Sequence, residues 1–296
     1  MCVVATRRIT ARPLLGVRSE HAKGPVYDPL TDELLWVDIP AGLVNVARLA
    51  PELRDVRSYA TGDVVGAVAP RRDPADGWVV ASRHGFAALD RSGHVTPIAE
   101  PERGAVTRMN DGKCDPSGGF WAGSVSLDDV EGSANLYRLA PDGTCRRTLG
   151  GVTISNGLAW RDAEHVYYVD TPTRRVDLLT VTPDGTVDDR RPAFAVPAEL
   201  GFPDGLTIDA DGRLWVALWG GGAVVSFAPD GEVLASVAVD AVQVSSCTFA
   251  GPDLATLVIT TSQESYTPGR SAAEPWSGHL FVADVGARGL PPNRFG

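Results

Sequence analysis

Six segments of the sequence share one pattern, in which a turn rich in Asp, Gly and Pro leads into an apolar strand, a loop and a second strand. Equivalent positions in successive segments are 41 to 48 residues apart, which is the repeat length of propeller blades. The positions taken as equivalent are Trp36, Val80, Trp121, Tyr167, Trp215 and Val258. An all-strand repeat of this size cannot bury both of its faces alone, whereas copies stacked around an axis can. The pattern therefore predicts an all-β fold: a six-bladed β-propeller with four-stranded antiparallel blades around a central channel, forming a single domain over residues 1–296.

Composition agrees with this architecture. The chain has 296 residues and is 44% hydrophobic, so it can bury a large core without disulfides or a structural metal. Its 32 glycines and 22 prolines favour short strands and tight turns over long helices. A large β-sandwich would explain the strands but not the repeat.

Charge and motif content narrow the function classes. The formal net charge is -10, which argues against nucleic-acid or anionic-membrane partners. The four cysteines are dispersed, without the spacing of a zinc site, and are expected to be reduced thiols. No phosphate loop is found, so no organic cofactor is expected. The chain lacks a signal-peptide pattern and a run of about 20 apolar residues. These features predict a cytoplasmic protein without nucleic-acid or membrane partners, and they leave its oligomeric state open.

The segments between the repeats carry the polar residues of interest. They are expected to lead into the inner strand of each blade and to line the channel, where several blades can direct polar groups at one point. Asn110, Asn156 and Asp204 come from three different repeats and are candidates for such a site. The stretch 267–277 interrupts the sixth repeat and is expected to be a surface excursion near a channel mouth.

Three long motifs, RMNDGKCDPSGGFWAGS, ISNGLAW…YYVDT and FPDGLTIDADGRLWVA, occur in this order. With them the chain resembles the SMP-30/gluconolactonase/luciferin-regenerating family of six-bladed propellers over nearly its whole length. The resemblance implies hydrolysis of a small lactone at the channel mouth. It also implies one divalent cation, commonly calcium, held by a Glu of the opening blade, the Asn of the SNGL motif and the Asp of the PDGL motif.

The resemblance assigns roles to individual residues. It places the metal-binding Asn at Asn156 and the metal-binding Asp at Asp204, and it also makes Asp204 the general base. It gives Arg108 and Asn110 substrate-binding roles, and it suggests an acidic substrate-binding position at Asp128. Asn156 is a further candidate for substrate binding. A hard cation with open positions could polarise a lactone carbonyl and activate water.

One position departs from the family pattern. Where the family has the metal-binding Glu before Gly-Pro, this chain has Lys23, which has no free lone pair while protonated. The ammonium could replace the cation and pair with Asp204 and Asn156. Alternatively, Glu20 could reach in and preserve an altered metal site, or Lys23 could act as a reactive amine. Lys23 could also be a solvated side chain in a degenerate site. A divalent cation is therefore a doubtful cofactor.

Three functions follow from these interpretations. The leading one is a lactonase-like hydrolase that uses Asp204, with Arg108 and Asn110 orienting the substrate. The second is a metal-independent lyase, cyclase or isomerase that uses Lys23 and Asp204. The third is a non-catalytic propeller that binds a small molecule or calcium. His21, two positions before Lys23, is the only histidine near a proposed site residue; it is interpreted as a surface residue, with a catalytic role as the alternative.

Overall fold

The structure is a computed structural model that describes residues 7–296. In chain order, the strands of its first half are β1 (Arg7–Thr10), β2 (Arg12–Arg18), β3 (Ala22–Asp28), β4 (Glu33–Asp38), β5 (Leu43–Leu49), β6 (Leu53–Ala60), β7 (Val65–Pro70), β8 (Trp78–Ser82), β9 (Gly85–Leu89), β10 (Val95–Ala99), β11 (Thr107–Cys114), β12 (Phe120–Ser126), β13 (Ala134–Leu139) and β14 (Cys145–Val152). The remaining strands are β15 (Ser155–Trp160), β16 (His165–Asp170), β17 (Arg175–Val181), β18 (Val187–Ala195), β19 (Phe202–Ile208), β20 (Leu214–Trp219), β21 (Ala223–Phe227), β22 (Val233–Ala238), β23 (Val244–Ala250), β24 (Thr256–Thr261) and β25 (His279–Asp284).

These strands form the predicted six-bladed propeller. The first five blades are β3–β6, β7–β10, β11–β14, β15–β18 and β19–β22, and the sixth combines β23, β24 and β25 with β2. Neighbouring strands within the four-stranded blades are antiparallel, as the sequence predicts. The six positions used to define the repeat all lie in the second strand of their blade, so the period read from the sequence is the blade period.

The polar segments between repeats lie closer to the axis than expected. They do not lead into the inner strands but are the innermost strands themselves, β3, β7, β11, β15, β19 and β23. Each of the six has a register shift against its neighbour, so the inner strand carries an extra residue. Such bulges bend a strand and redirect side chains, which is how polar residues within a strand come to face the channel.

The N-terminal segment joins the last two blades. Strand β2 pairs with β25 and completes the sixth blade, whereas β1 adds a parallel fifth strand to β22 of the fifth blade. Leu14 of β2 is fully buried, while its neighbour Leu15 is 55% exposed. Closure of the ring thus depends on one strand from the opposite end of the chain.

Buried Asp–Trp contacts recur between the first and second strands. Asp115 accepts a hydrogen bond from Trp121 Nε1 at 2.8 Å, and Asp209 accepts one from Trp215 Nε1 at 2.9 Å. Asp209 also accepts from the Arg213 guanidinium at 2.7 Å. These buried carboxylates therefore tie the turn after the first strand to the second strand of the blade.

The helical elements are short. Three single 3₁₀ turns span Pro74–Asp76, Thr171–Thr173 and Ala198–Leu200, and one α-helix, α1, spans Pro268–Ala273. Helix α1 lies in the predicted excursion at residues 267–277, between β24 and β25. In the part of the chain that the structure describes, no helix is long and apolar enough to cross a membrane. Among these residues Cys114, Cys145 and Cys247 are unpaired thiols, and Cys2 lies outside the described residues.

We expect Leu14→Ala to lower the free energy of unfolding by about 2–5 kcal/mol, because it removes buried apolar volume from the closing strand. Leu15→Ala is the matched control, since an exposed side chain contributes about 0.5 kcal/mol or less. Urea denaturation followed by Trp fluorescence measures both. Equal losses in the two variants would contradict the role given to β2.

Candidate active site

A pocket of about 390 Å³ opens at one mouth of the channel. It lies where the inner strands begin and the second strands end, because antiparallel neighbours bring these points to the same edge. The residues that line it are His21, Lys23, Arg108, Asn110, Val125, Ile154, Asn156, Thr171, Pro172, Phe202, Asp204, Trp219 and Glu264. Its volume falls within the range of about 300–1,000 Å³ that is typical of small-molecule sites.

The inner strands supply this pocket with two layers of side chains. In four blades, the start of the inner strand contributes a pair at positions i and i+2, which lie on one side of an extended chain; in β3 and β15 the first member directly precedes the strand. The outer members are His21, Arg108, Ile154 and Phe202, and the inner members are Lys23, Asn110, Asn156 and Asp204. Each inner member is at most 5% exposed. The floor of the pocket is therefore polar and buried, beneath a rim of mixed character.

The bulges explain why site residues precede glycines. Asn156 and Asp204 lie in the bulges of β15 and β19, although Asn-Gly and Asp-Gly are also common turn sequences. A Cβ atom on Gly157 would lie 2.7 Å from the backbone nitrogen of Leu206, and one on Gly205 would lie 2.2 Å from Ser246 Oγ. These glycines are needed because the next inner strand approaches closely, not because the chain turns.

Lys23 lies at the floor and is 1% exposed. Its ammonium pairs with Asp204 Oδ1, donates to the carbonyl oxygen of Ser245 at 2.9 Å and lies 3.5 Å from Asp111 Oδ2. The expected pairing with Asp204 is present, but Asn156 is not a partner of Lys23, because its amide is committed elsewhere. Lys23 is not a solvated lysine.

Lysine is rare in this chain. Of 27 cationic side chains, only Lys23 and Lys113 are lysines, and both face the channel. A compact ammonium fits between Asp204 and the Ser245 carbonyl, where a planar guanidinium would need a wider space. Lysine therefore occurs where the interior needs a small cation.

Asp204 is a buried carboxyl whose side-chain partner is Lys23. Burial raises the pKa of Asp204, and the positive charge of Lys23 opposes this shift. The pair joins the first and fifth blades across the channel, since Lys23 belongs to β3 and Asp204 to β19. With Oδ1 engaged by the ammonium, only Oδ2 remains available to a ligand.

The residues present do not fit a divalent cation. The position of the family Glu is occupied by the ammonium of Lys23, which engages Asp204 and would repel a cation. Asn156 Oδ1 accepts a hydrogen bond from Asn110 at 3.0 Å and is thus already used. Within residues 7–296 no group of three or more His, Cys, Asp or Glu side chains is arranged to hold a metal ion.

The two asparagines form a hydrogen-bonded relay across the floor. Asn110 Nδ2 donates to the Ser155 carbonyl at 2.8 Å and to Asn156 Oδ1 at 3.0 Å. Asn156 Nδ2 donates to Thr171 Oγ1 at 2.8 Å. Arg108 Nη1 donates to Asn110 Oδ1 at 2.8 Å. Since this bond and one to a main-chain carbonyl use only Nη1, the other guanidinium donors of Arg108 remain available to a substrate.

Two candidates from the sequence lie outside the pocket. Asp128 is exposed on the loop after β12 and is not part of the pocket wall. Glu20 is also exposed, so it does not replace the family Glu. Asp128 as a substrate-binding residue stays a prediction.

The pocket wall contains a second polar pair, His21 and Glu264, which the sequence interpretation did not predict. His21 is 6% exposed rather than a surface residue, and its Nδ1 lies 3.0 Å from Glu264 Oε2. Its ring stacks on Trp219, with centroids 5.4 Å apart. The signal in the sequence was the spacing of two residues between His21 and Lys23, because residues i and i+2 of a strand lie on the same side. Glu264 lies beyond the end of β24 and carried no sequence signal of its own.

Comparison with known proteins places this chain in a family. A model of the SMP-30/Gluconolactonase/LRE-like region matches residues 21–263. A putative sugar lactone lactonase, YvrE of Bacillus subtilis, is 35% identical over 283 residues, covering 94% of this chain and 96% of its own. Regucalcin of Danio rerio is 36% identical over 285 residues, covering 93% and 94% of the two chains.

Structural comparison agrees with this result. A crystal structure described as a calcium-binding protein, regucalcin from Agrobacterium tumefaciens, superposes with a TM-score of 0.91 at 25% identity, covering 99% of this chain and 100% of the other. The match includes all six blades and the pocket-forming strands. The chain belongs to the SMP-30/gluconolactonase/LRE-like family.

Proposed function

We propose that this protein is a lactonase-like hydrolase that opens a small lactone or related ester in the pocket without using a metal ion. One observation carries the proposal: Lys23, at the sequence position of the family's ligand Glu, is buried and its ammonium pairs with Asp204. Family membership supports the reaction class, and the similarity to a putative sugar lactone lactonase supports the substrate class. The pocket volume of about 390 Å³ suits a monocyclic substrate.

Lactone opening requires stabilisation of negative charge on the carbonyl oxygen. Preorganised donors in a site that excludes water are effective in this task. The uncommitted guanidinium donors of Arg108 provide hydrogen bonds, and the fixed charge of Lys23 adds a favourable field from the floor. Asn110 holds Arg108 in place through its 2.8 Å hydrogen bond.

Asp204 has two roles in this proposal. Its Oδ1 holds the ammonium of Lys23, so the positive charge keeps a defined position. Its Oδ2 can accept a hydrogen bond from the attacking water and orient it. Asp204 is retained from the family pattern, but its partner is the ammonium group of Lys23 in place of a metal ion.

The same ion pair also suits proton transfer beside a carbonyl group, which favours a lyase, cyclase or isomerase as the second candidate. Product analysis by mass spectrometry separates the two, because hydrolysis adds one water to the substrate and the other reactions do not. Binding of small lactones without turnover would instead support a non-catalytic propeller.

We expect turnover of a panel of small sugar lactones and aliphatic lactones to persist in excess EDTA, because Lys23 supplies the charge. Initial rates by pH-stat and elemental analysis of the purified protein measure this. Stoichiometric calcium or another divalent ion, with turnover abolished by its removal, would overturn the metal-independent proposal.

The variant Lys23→Glu is expected to gain divalent-cation binding. The substitution removes the ammonium and places a second carboxylate beside Asp204, so that two carboxylates provide hard oxygen ligands. Titration calorimetry with calcium, and separately with manganese and zinc, measures the change against wild type. Failure of the folded variant to bind any of these ions would show that the rest of the metal site is not intact.

Lys23→Met is expected to abolish lactone turnover and to lower stability by about 3–5 kcal/mol, because it leaves the buried Asp204 without a counter-charge. Lys113→Met is the matched control. Lys113 faces a separate cavity further along the channel and donates to the Leu206 carbonyl at 3.0 Å, so its loss costs about 1–3 kcal/mol and leaves turnover intact.

The double variant Lys23→Met/Asp204→Asn separates stability from catalysis. It removes both charges and should regain much of the stability while remaining inactive. Denaturant unfolding and initial rates measure the two properties. Wild-type turnover in this variant would contradict a catalytic role for the pair.

A further inference from the structure

We propose that His21, held by Glu264, accepts the proton of the attacking water and delivers it to the leaving oxygen. This inference rests on the proposed hydrolase function and adds a catalytic pair to the site. Both residues line the same pocket as Lys23 and Asp204. On a strand that rises about 3.3 Å per residue, His21 and Lys23 have Cα atoms about 7 Å apart, so both can reach one small substrate.

His21 is fixed from three directions. Its backbone nitrogen donates to Asp38 Oδ1 at 3.0 Å, its ring stacks on Trp219, and its Nδ1 lies 3.0 Å from Glu264 Oε2. Glu264 is itself restrained, since its backbone nitrogen donates to Ser262 Oγ at 2.9 Å. This support is what a proton-transfer group needs to keep one orientation.

The contact with Glu264 selects the tautomer. The hydrogen bond with His21 lowers the pKa of Glu264 although burial opposes the shift, and the charge of Arg108 acts in the same direction as the hydrogen bond. An ionised Glu264 only accepts, so His21 Nδ1 carries the proton and donates it. In neutral His21 the lone pair then lies on Nε2.

The Nε2 atom has no partner. It is buried and makes no hydrogen bond within residues 7–296, and buried polar atoms are normally paired. Because the protein covers this atom, a small rotation of the ring toward the pocket is needed before a water or a substrate oxygen can satisfy it. An imidazole with a carboxylate on one nitrogen and a free lone pair on the other is the arrangement of a general base.

Other groups around the pocket are less suited to this task. Asp204 is engaged by Lys23 through Oδ1, so its protonation would weaken the ion pair. Lys23 and Arg108 are cations that donate hydrogen bonds and do not accept protons in this arrangement. Among the described polar residues of the wall, His21 alone combines a free lone pair with an orienting carboxylate.

His21 takes part in both steps of the ring opening. The water oxygen forms a bond to the carbonyl carbon while His21 Nε2 takes one of its protons. The ring carbon–oxygen bond then breaks, and the alkoxide receives that proton from Nε2. The product is a hydroxy acid, which loses its acidic proton to solvent, and His21 returns to its neutral form.

The test compares His21→Ala with wild type on lactones that the wild type opens. We expect kcat to fall about 10²–10⁴-fold, as for loss of a general acid–base group, with KM little changed. Added imidazole should restore part of the rate by occupying the space against Trp219. Glu264→Gln should lower kcat by a smaller factor, because it weakens the orientation of His21.

His279→Ala is the matched control. His279 also packs against a tryptophan, Trp276 at 5.7 Å, and its Nδ1 is also buried without a partner, but it does not line the pocket. Turnover by His21→Ala within threefold of wild type, an equal loss in His279→Ala, or a loss confined to KM without imidazole rescue would overturn the assignment. No turnover by wild type across the panel would instead overturn the hydrolase function, and the assignment with it.

Discussion

The buried ion pair between Lys23 and Asp204 is the interaction on which the site depends. Removing two charges from water costs several kcal/mol per ion, so such a pair persists only with further hydrogen bonds. The Ser245 carbonyl accepts such a hydrogen bond at 2.9 Å, and the Asp111 carboxylate lies 3.5 Å from the ammonium. Because the family's ligand Glu is absent, the carboxylates at the channel axis obtain their counter-charge from the chain itself. The polarity of the pocket and the absence of a fitting metal site both follow from this pair.

The propeller makes this pair possible by directing strands from different blades at one axis. Every inner strand has a bulge at a similar level, so side chains that would face a neighbouring sheet instead face the channel. The pocket then has a buried polar floor and a more varied rim. The rim includes the pair of His21 and Glu264. His21 directly precedes β3 of the first blade, and Glu264 follows β24 of the sixth blade.

Sequence reasoning identified much of the site because motif residues recur at equivalent places in the repeat. Arg108, Asn110, Asn156 and Asp204 all line the pocket, and the departure at Lys23 was visible as a break in an otherwise regular motif. The resemblance suggests Asp128 at a position a little beyond such a motif, where the structure has an exposed loop after β12. Loop conformation depends on local packing that the motif does not contain, so the substrate-binding role of Asp128 stays a prediction.

The number of blades, the family and the replacement of a ligand Glu by Lys23 could all be predicted before the structure was known, because they depend on the spacing and type of residues along the chain. The partners of Lys23, the hydrogen bond between Asn156 and Asn110, and the burial of His21 against Glu264 could not be predicted in this way. Those contacts join residues as much as 243 positions apart, and their geometry is set by closure of the propeller, which no local pattern records.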